Sequence, residues 1–112
     1  MELENATKVV IITETIIESS ILRLLKSLGV KGFTIYKDIT GEGGRGIRSV
    51  SGGLSELGEN VRIEIIVSNE EKARLIMENV CDKYLSKYAG IIYLENVQVI
   101  RIEKFANQNP HS

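Results

Sequence analysis

The chain has 112 residues, 43% of them hydrophobic and 26% charged, which is the composition of one foldable globular domain. Fourteen Lys and Arg against fifteen Asp and Glu leave a net charge of −1, which excludes a general nucleic-acid binder. One cysteine, Cys81, and one histidine, His111, exclude an intrachain disulfide, a cysteine-ligated cluster and a Ser-His-Asp triad, so neither a metal nor an enzyme activity is expected.

The N-terminus, Met1-Glu2-Leu3-Glu4-Asn5, is acidic and does not read as a secretory signal. Thr7 to Thr13 is short and rich in β-branched residues, the pattern of a first strand. Its run Val9 to Ile12, matched in length only by Ile91 to Leu94, is too short to cross a bilayer, so direct membrane insertion is not expected and a cytoplasmic location is. Thr15-Ile16-Ile17-Glu18 matches a capping box. Ile17, Ile21, Leu24, Leu25 and Leu28 then recur at helical spacing until Gly29, which suits a left-handed cap. Gly32 to Lys37 reads as a second strand.

Residues 38–60 hold seven of the ten glycines and break the pattern, giving a loop of functional length that is expected to be flexible. Asn60 to Ser68 alternates as a third strand. Ser68-Asn69-Glu70-Glu71 matches a second capping box. Ala73, Ile76, Met77, Val80, Cys81, Tyr84 and Tyr88 form the apolar stripe of a long second helix, which places Cys81 in the core. Ile91 to Leu94 and Val97 to Ile102 read as closing strands, and residues 103–112 as a tail.

This order predicts an α+β, ferredoxin-like βαββαβ domain spanning residues 1–112, with the long loop between strands two and three. Val9-Val10-Ile11-Ile12, Ile65-Ile66-Val67 and Ile91-Ile92-Tyr93-Leu94 are apolar on both strand faces. Two helices cover one face of such a sheet, so the other needs a partner, most simply further copies of the chain, with coverage by long side chains or short strands that only look two-sided as the alternative.

Gly41-Glu42-Gly43-Gly44-Arg45-Gly46 satisfies G-x-G-x-x-G in letters only. The residues that follow, Ile47 to Gly53, make a poor helix start, so a dinucleotide site is rejected. Exposed glycine amides with Arg45 and Arg48 suit a phosphate better, with a solvated surface loop as the alternative. The carboxylates of Glu70, Glu71 and Glu14 lie at helix starts, where negative charge is favourable, and carry a structural reading.

Three stretches together resemble the PII-like signalling proteins of the SbtB type, the carbon-sensing branch of the PII superfamily in cyanobacteria. They are Lys31-Gly32-Phe33-Thr34, Gly44-Arg45-Gly46-Ile47-Arg48-Ser49 and Lys87-Tyr88-Ala89-Gly90-Ile91-Ile92-Tyr93. The resemblance implies a homotrimer that binds adenine nucleotides (cyclic AMP, AMP, ADP, ATP) in clefts between subunits. It implies that residues 38–60 form the family's partner-contacting T-loop, which orders on ligand binding. Arg45 and Arg48 would hold phosphate with Gly44 and Ser49, Gly90 would meet the adenine edge with Tyr88 and Ile91 nearby, and Lys31, Gly32 and Thr34 would line the cleft. The implied partner is a sodium-dependent bicarbonate transporter, which would place the protein at the periphery of the plasma membrane. A sister regulator with another transporter, carboxysomal or metabolic partner is the alternative, and a slow nucleotide phosphohydrolase is a third. The T-G-x-x-G-D-G-K-type loop of ordinary PII proteins is missing here, and the C-terminus carries no cysteine pair. Sensing of ATP with 2-oxoglutarate, redox switching and hydrolysis therefore do not carry over.

Overall fold

The computed structural model describes residues 2–39 and 60–100. Residues 40–59 of the expected 38–60 loop, the last two residues of the expected strand Val97 to Ile102, and the expected tail 103–112 lie outside the described residues. Strand β1 (Glu4–Glu14) leads through a single 3-10 turn (Thr15–Ile17) into helix α1 (Glu18–Ser27), and β2 (Thr34–Ile39) follows. Strand β3 (Asn60–Val67), helix α2 (Glu70–Val80), a π-helical turn (Cys81–Leu85) and β4 (Gly90–Val99) complete the chain. The four strands form one antiparallel sheet in the order β2-β3-β1-β4.

Alternation decides which face is covered. On β3, Val61, Ile63, Ile65 and Val67 are buried while Arg62, Glu64 and Ile66 on the opposite face are only half-buried. The first set joins Val9 and Ile11 of β1 against Ile21 and Leu25 of α1 and Ala73, Ile76 and Val80 of α2. Register places Val9 opposite Ile65 and Ile11 opposite Ile63, so one apolar layer faces both helices. The other face carries Val10, Ile12, Ile66, Ile91, Tyr93 and Val97, paired across strands as Val10 with Tyr93 and Ile12 with Ile91. It is unevenly covered: Val10 is buried, Ile12, Ile66, Tyr93 and Val97 are half-buried, and Ile91 is 50% exposed.

The helix ends follow from identifiable residues. Gly29 has φ 90°. Its N–H donates to the Lys26 carbonyl at 3.0 Å and the Val30 N–H donates to the Leu25 carbonyl at 3.0 Å, a Schellman closure. Both capping-box expectations are corrected. Thr15 does not cap α1: it opens a 3-10 turn, no side-chain cap bond forms, and Glu18 pairs instead with Lys37 at 3.5 Å. The cap of α2 is Asn69 rather than Ser68, its Oδ1 accepting from the Lys72 N–H at 2.8 Å. An extended Asn69 puts Lys72, not Glu71, at the third helical position, so the reciprocal glutamate bond has no partner.

Other boundaries also move. β1 is longer at both ends than its apolar run, because ladder pairing to β4 continues to Glu4 through polar residues. β2 begins at Thr34 rather than Gly32. The two closing strands are one continuous β4, since Glu95 and Asn96 keep their pairing with Lys8 and Thr7. The second helix is α-helical only to Val80. The π turn after it widens the coil, and Cys81 is half-buried rather than in the core.

Candidate functional site

The loop stems and the Tyr88-Ala89-Gly90 segment come together at one end of the sheet. β2 ends at Ile39 and β3 starts at Asn60, and these two residues pair. Asn60 pairs in turn with Glu14, and Thr13 pairs with Gly90. The chain therefore leaves and re-enters the sheet at residues 39 and 60 on the level at which it enters β4.

The segment before β4 is held closely from β1. Thr13 Oγ1 donates to the Ala89 carbonyl at 2.7 Å, and the Ala89 N–H donates to Glu14 Oε2 at 2.8 Å. Lys87 and Tyr88 N–H groups both donate to the Tyr84 carbonyl at 2.9 Å, which closes the π turn. At Gly90 a Cβ would lie 2.8 Å from the Ile12 carbonyl oxygen, 2.8 Å from Leu85 Cδ2 and 2.9 Å from Thr13 Oγ1. Only glycine fits there. This close approach supplies a physical reason for Gly90 that is independent of any ligand. Around the segment, Tyr88 is 38% exposed and Ile16, just beyond Glu14, is 72% exposed. With Ile91 they are apolar groups left open to a flat ligand or another chain.

The residues expected to line a site fall into three groups. Tyr88, Gly90 and Ile91 are contiguous and exposed at the start of β4. Lys31, Gly32 and Thr34 are exposed at the start of β2. Gly44, Arg45, Arg48 and Ser49 lie outside the described residues. The first two groups are not brought together within one chain. β3 and β1 lie between their strands, which separates them by about 14 Å at the usual strand spacing. A site using both sets has to be completed by a second copy.

Thr13 and Glu14 escaped the sequence reading. Glu14 reads as helix-start charge, yet it is 4% exposed and bonded to Ala89 rather than to the turn that follows it. A charged residue set between two apolar stretches, Val9 to Ile12 and Ile16-Ile17, was the available signal. On the open face, Arg62 pairs with Glu64 at 2.7 Å and lies 5.8 Å from the Tyr36 ring centroid. The hydrogen bond to Glu64 is the largest cause holding the Arg62 guanidinium above its ordinary value. A polar hollow of about 360 Å³, lined by Asn5, Thr7, Asn69 and Asn96 among others, lies toward the opposite end of the sheet and contains none of the expected residues. No helix among the described residues is long and apolar enough to cross a membrane.

Comparison with known proteins adds the relatives. The family model for nitrogen regulatory protein P-II matches residues 6–104. A PII-like signaling protein from Thermus thermophilus is 43% identical, with a TM-score of 0.73 over 94% of this chain and 99% of that one. CPII from Thiomonas intermedia, solved with ADP, AMP and acetate, is 26% identical, with a TM-score of 0.78 over 94% of this chain and 98% of its own. The same protein solved with ADP and bicarbonate gives 25% identity and a TM-score of 0.74, over 93% of this chain and 97% of its own.

Proposed function

The chain belongs to the P-II family, and from that premise we propose that it is a homotrimeric, PII-like regulator that binds adenine nucleotides in clefts between subunits. The observation that carries this reading is its likeness to CPII, a protein solved with ADP and AMP. PII-family proteins are trimeric. The apolar sheet face away from the helices, half-buried at Ile12, Ile66 and Tyr93 and open at Ile91, supports the same assembly here. The separation of the β2 and β4 residue groups favours a site shared between chains.

In this reading Tyr88, Gly90 and Ile91 of one subunit meet the base, and Lys31, Gly32 and Thr34 of a neighbour line the other wall. Arg45 and Arg48, with Gly44 and Ser49, hold the phosphate. A guanidinium suits that role because it offers parallel donors to two phosphate oxygens. Residues 38–60 act as the T-loop, and nucleotide binding changes which partner that loop fits. Such a switch works only if the nucleotide has different affinities for the two loop states. The nucleotides include AMP, ADP, ATP and cyclic AMP, bound as effectors rather than turned over.

We place the chain in the SbtB-type, carbon-sensing branch, with a sodium-dependent bicarbonate transporter as its partner at the membrane. CPII has been solved with bicarbonate more than once, which supports this branch. Capture from detergent-solubilised membranes of the source cells, with and without AMP, tests the partner. Recovery of the transporter is the expected result. Recovery of a different transporter or a metabolic enzyme favours the sister-regulator reading. Turnover of radiolabelled ATP or ADP by pure protein, above the no-protein rate, favours a phosphohydrolase.

A further inference from the structure

Three separate constraints converge on the dipeptide Ala89-Gly90. The Ala89 N–H is taken by Glu14 and the Ala89 carbonyl by Thr13. Position 90 has no room for a side chain. The backbone flanked by the proposed base contacts is thus held by the last two residues of β1.

Glu14 is an expensive way to hold it. The residue is 4% exposed, and its second oxygen, Oε1, is buried with no hydrogen-bond partner among the described residues. A neutral acceptor would bind one N–H without leaving a buried carboxylate oxygen idle. Groups that break a local rule at such cost are expected at sites rather than in ordinary loop anchors. Glu14 is also the register partner of Asn60, itself 3% exposed, where the chain returns to the sheet after the segment carrying Arg45 and Arg48.

We propose that Thr13 and Glu14 are positioning residues of the nucleotide site, holding residues 88–91 in the conformation in which Tyr88, Gly90 and Ile91 meet the base. The inference rests on the nucleotide-binding reading above. Neither residue touches the ligand. Both act through Ala89, so the segment is already ordered before binding and the ordering cost on association is reduced.

The test compares Glu14→Ala and Thr13→Val with the conservative variants Glu14→Gln and Thr13→Ser. AMP affinity is read by calorimetry, the Ala89 amide by hydrogen exchange in NMR spectra, and assembly by light scattering. Glu14→Ala is expected to bind AMP about 10-fold more weakly, the loss of one charge-assisted hydrogen bond. Thr13→Val is expected to weaken binding less, and in both variants the Ala89 amide exchanges faster at unchanged oligomeric mass. Thr13→Ser, which keeps the donor, recovers most of the affinity, and Glu14→Gln, which keeps an acceptor but not the charge, recovers part of it. If Glu14→Ala fails to fold, Thr13→Val against Thr13→Ser decides by the same readouts. Faster Ala89 exchange with unchanged AMP affinity overturns the positioning role and leaves nucleotide binding standing. Failure of the unmodified protein to bind AMP or ADP overturns the nucleotide reading itself, and the positioning role with it.

Discussion

Gly90→Ala is the substitution whose cost can be worked most directly from the structure. The added methyl would meet three atoms at 2.8, 2.8 and 2.9 Å. Leu85 Cδ2 can yield by rotation. The Ile12 carbonyl cannot, because it belongs to a β1 backbone held by strands on both sides. Thr13 Oγ1 is committed to the Ala89 carbonyl. Relief therefore requires the start of β4 to move away from β1 by about 0.5 Å, and overpacking of this kind costs about 1–3 kcal/mol. In a domain of this size each kcal/mol lowers the melting temperature by about 4 °C, so a fall of about 4–12 °C is expected. The chain has no tryptophan, so thermal melts are best followed by far-ultraviolet circular dichroism. Protomer concentration must be held equal, because the stability of an oligomer depends on it. A melting temperature within about 1 °C of the unmodified protein would refute the reasoning, since it would mean that the β1–β4 junction yields freely.

Asn69→Ala should destabilise the fold by about 1 kcal/mol through loss of the α2 cap, whereas Ser68→Ala should stay within about 0.5 kcal/mol. Chemical denaturation of both variants checks the pair. Ile66→Glu places a charge on the open sheet face and should reduce the light-scattering mass from three chains to one, while far-ultraviolet dichroism stays that of a folded chain. Arg48→Ala should weaken AMP binding about 10-fold, since charge-assisted bonds contribute about 1.5–3 kcal/mol each. Adenosine binding should change little, and Arg48→Lys should restore only part of the loss, because an ammonium keeps the charge but not the fork.

Much of the fold was legible in the sequence because its signals are local. Two strands with clear apolar cores, a helical stripe from Ile17 to Leu28 and Gly29 at φ 90° all follow from period and backbone sterics. The two-sided strands Val9–Ile12 and Ile91–Leu94 announced a sheet with apolar residues on both faces, as the register of Val10 with Tyr93 and Ile12 with Ile91 shows. The misplaced features depend on neighbours distant in sequence. Whether Thr15 or Ser68 caps a helix depends on one residue of backbone phase, which the tertiary structure sets. Glu95 and Asn96 look like a break between strands and are strand residues only because Lys8 and Thr7 pair with them. The contact between Glu14 and Ala89 spans 75 positions, and no spacing rule connects them. For the candidate site, resemblance singled out Tyr88, Gly90 and Ile91, and the fold adds why Gly90 must be glycine and what holds Ala89.

The most direct measurement is a calorimetric titration of AMP into the purified protein, with adenosine titrated in parallel. Saturable binding of AMP is expected at one site per chain, on a species whose light-scattering mass corresponds to three chains, with adenosine binding more weakly. No binding heat at millimolar AMP, or equal affinity for AMP and adenosine, would contradict it.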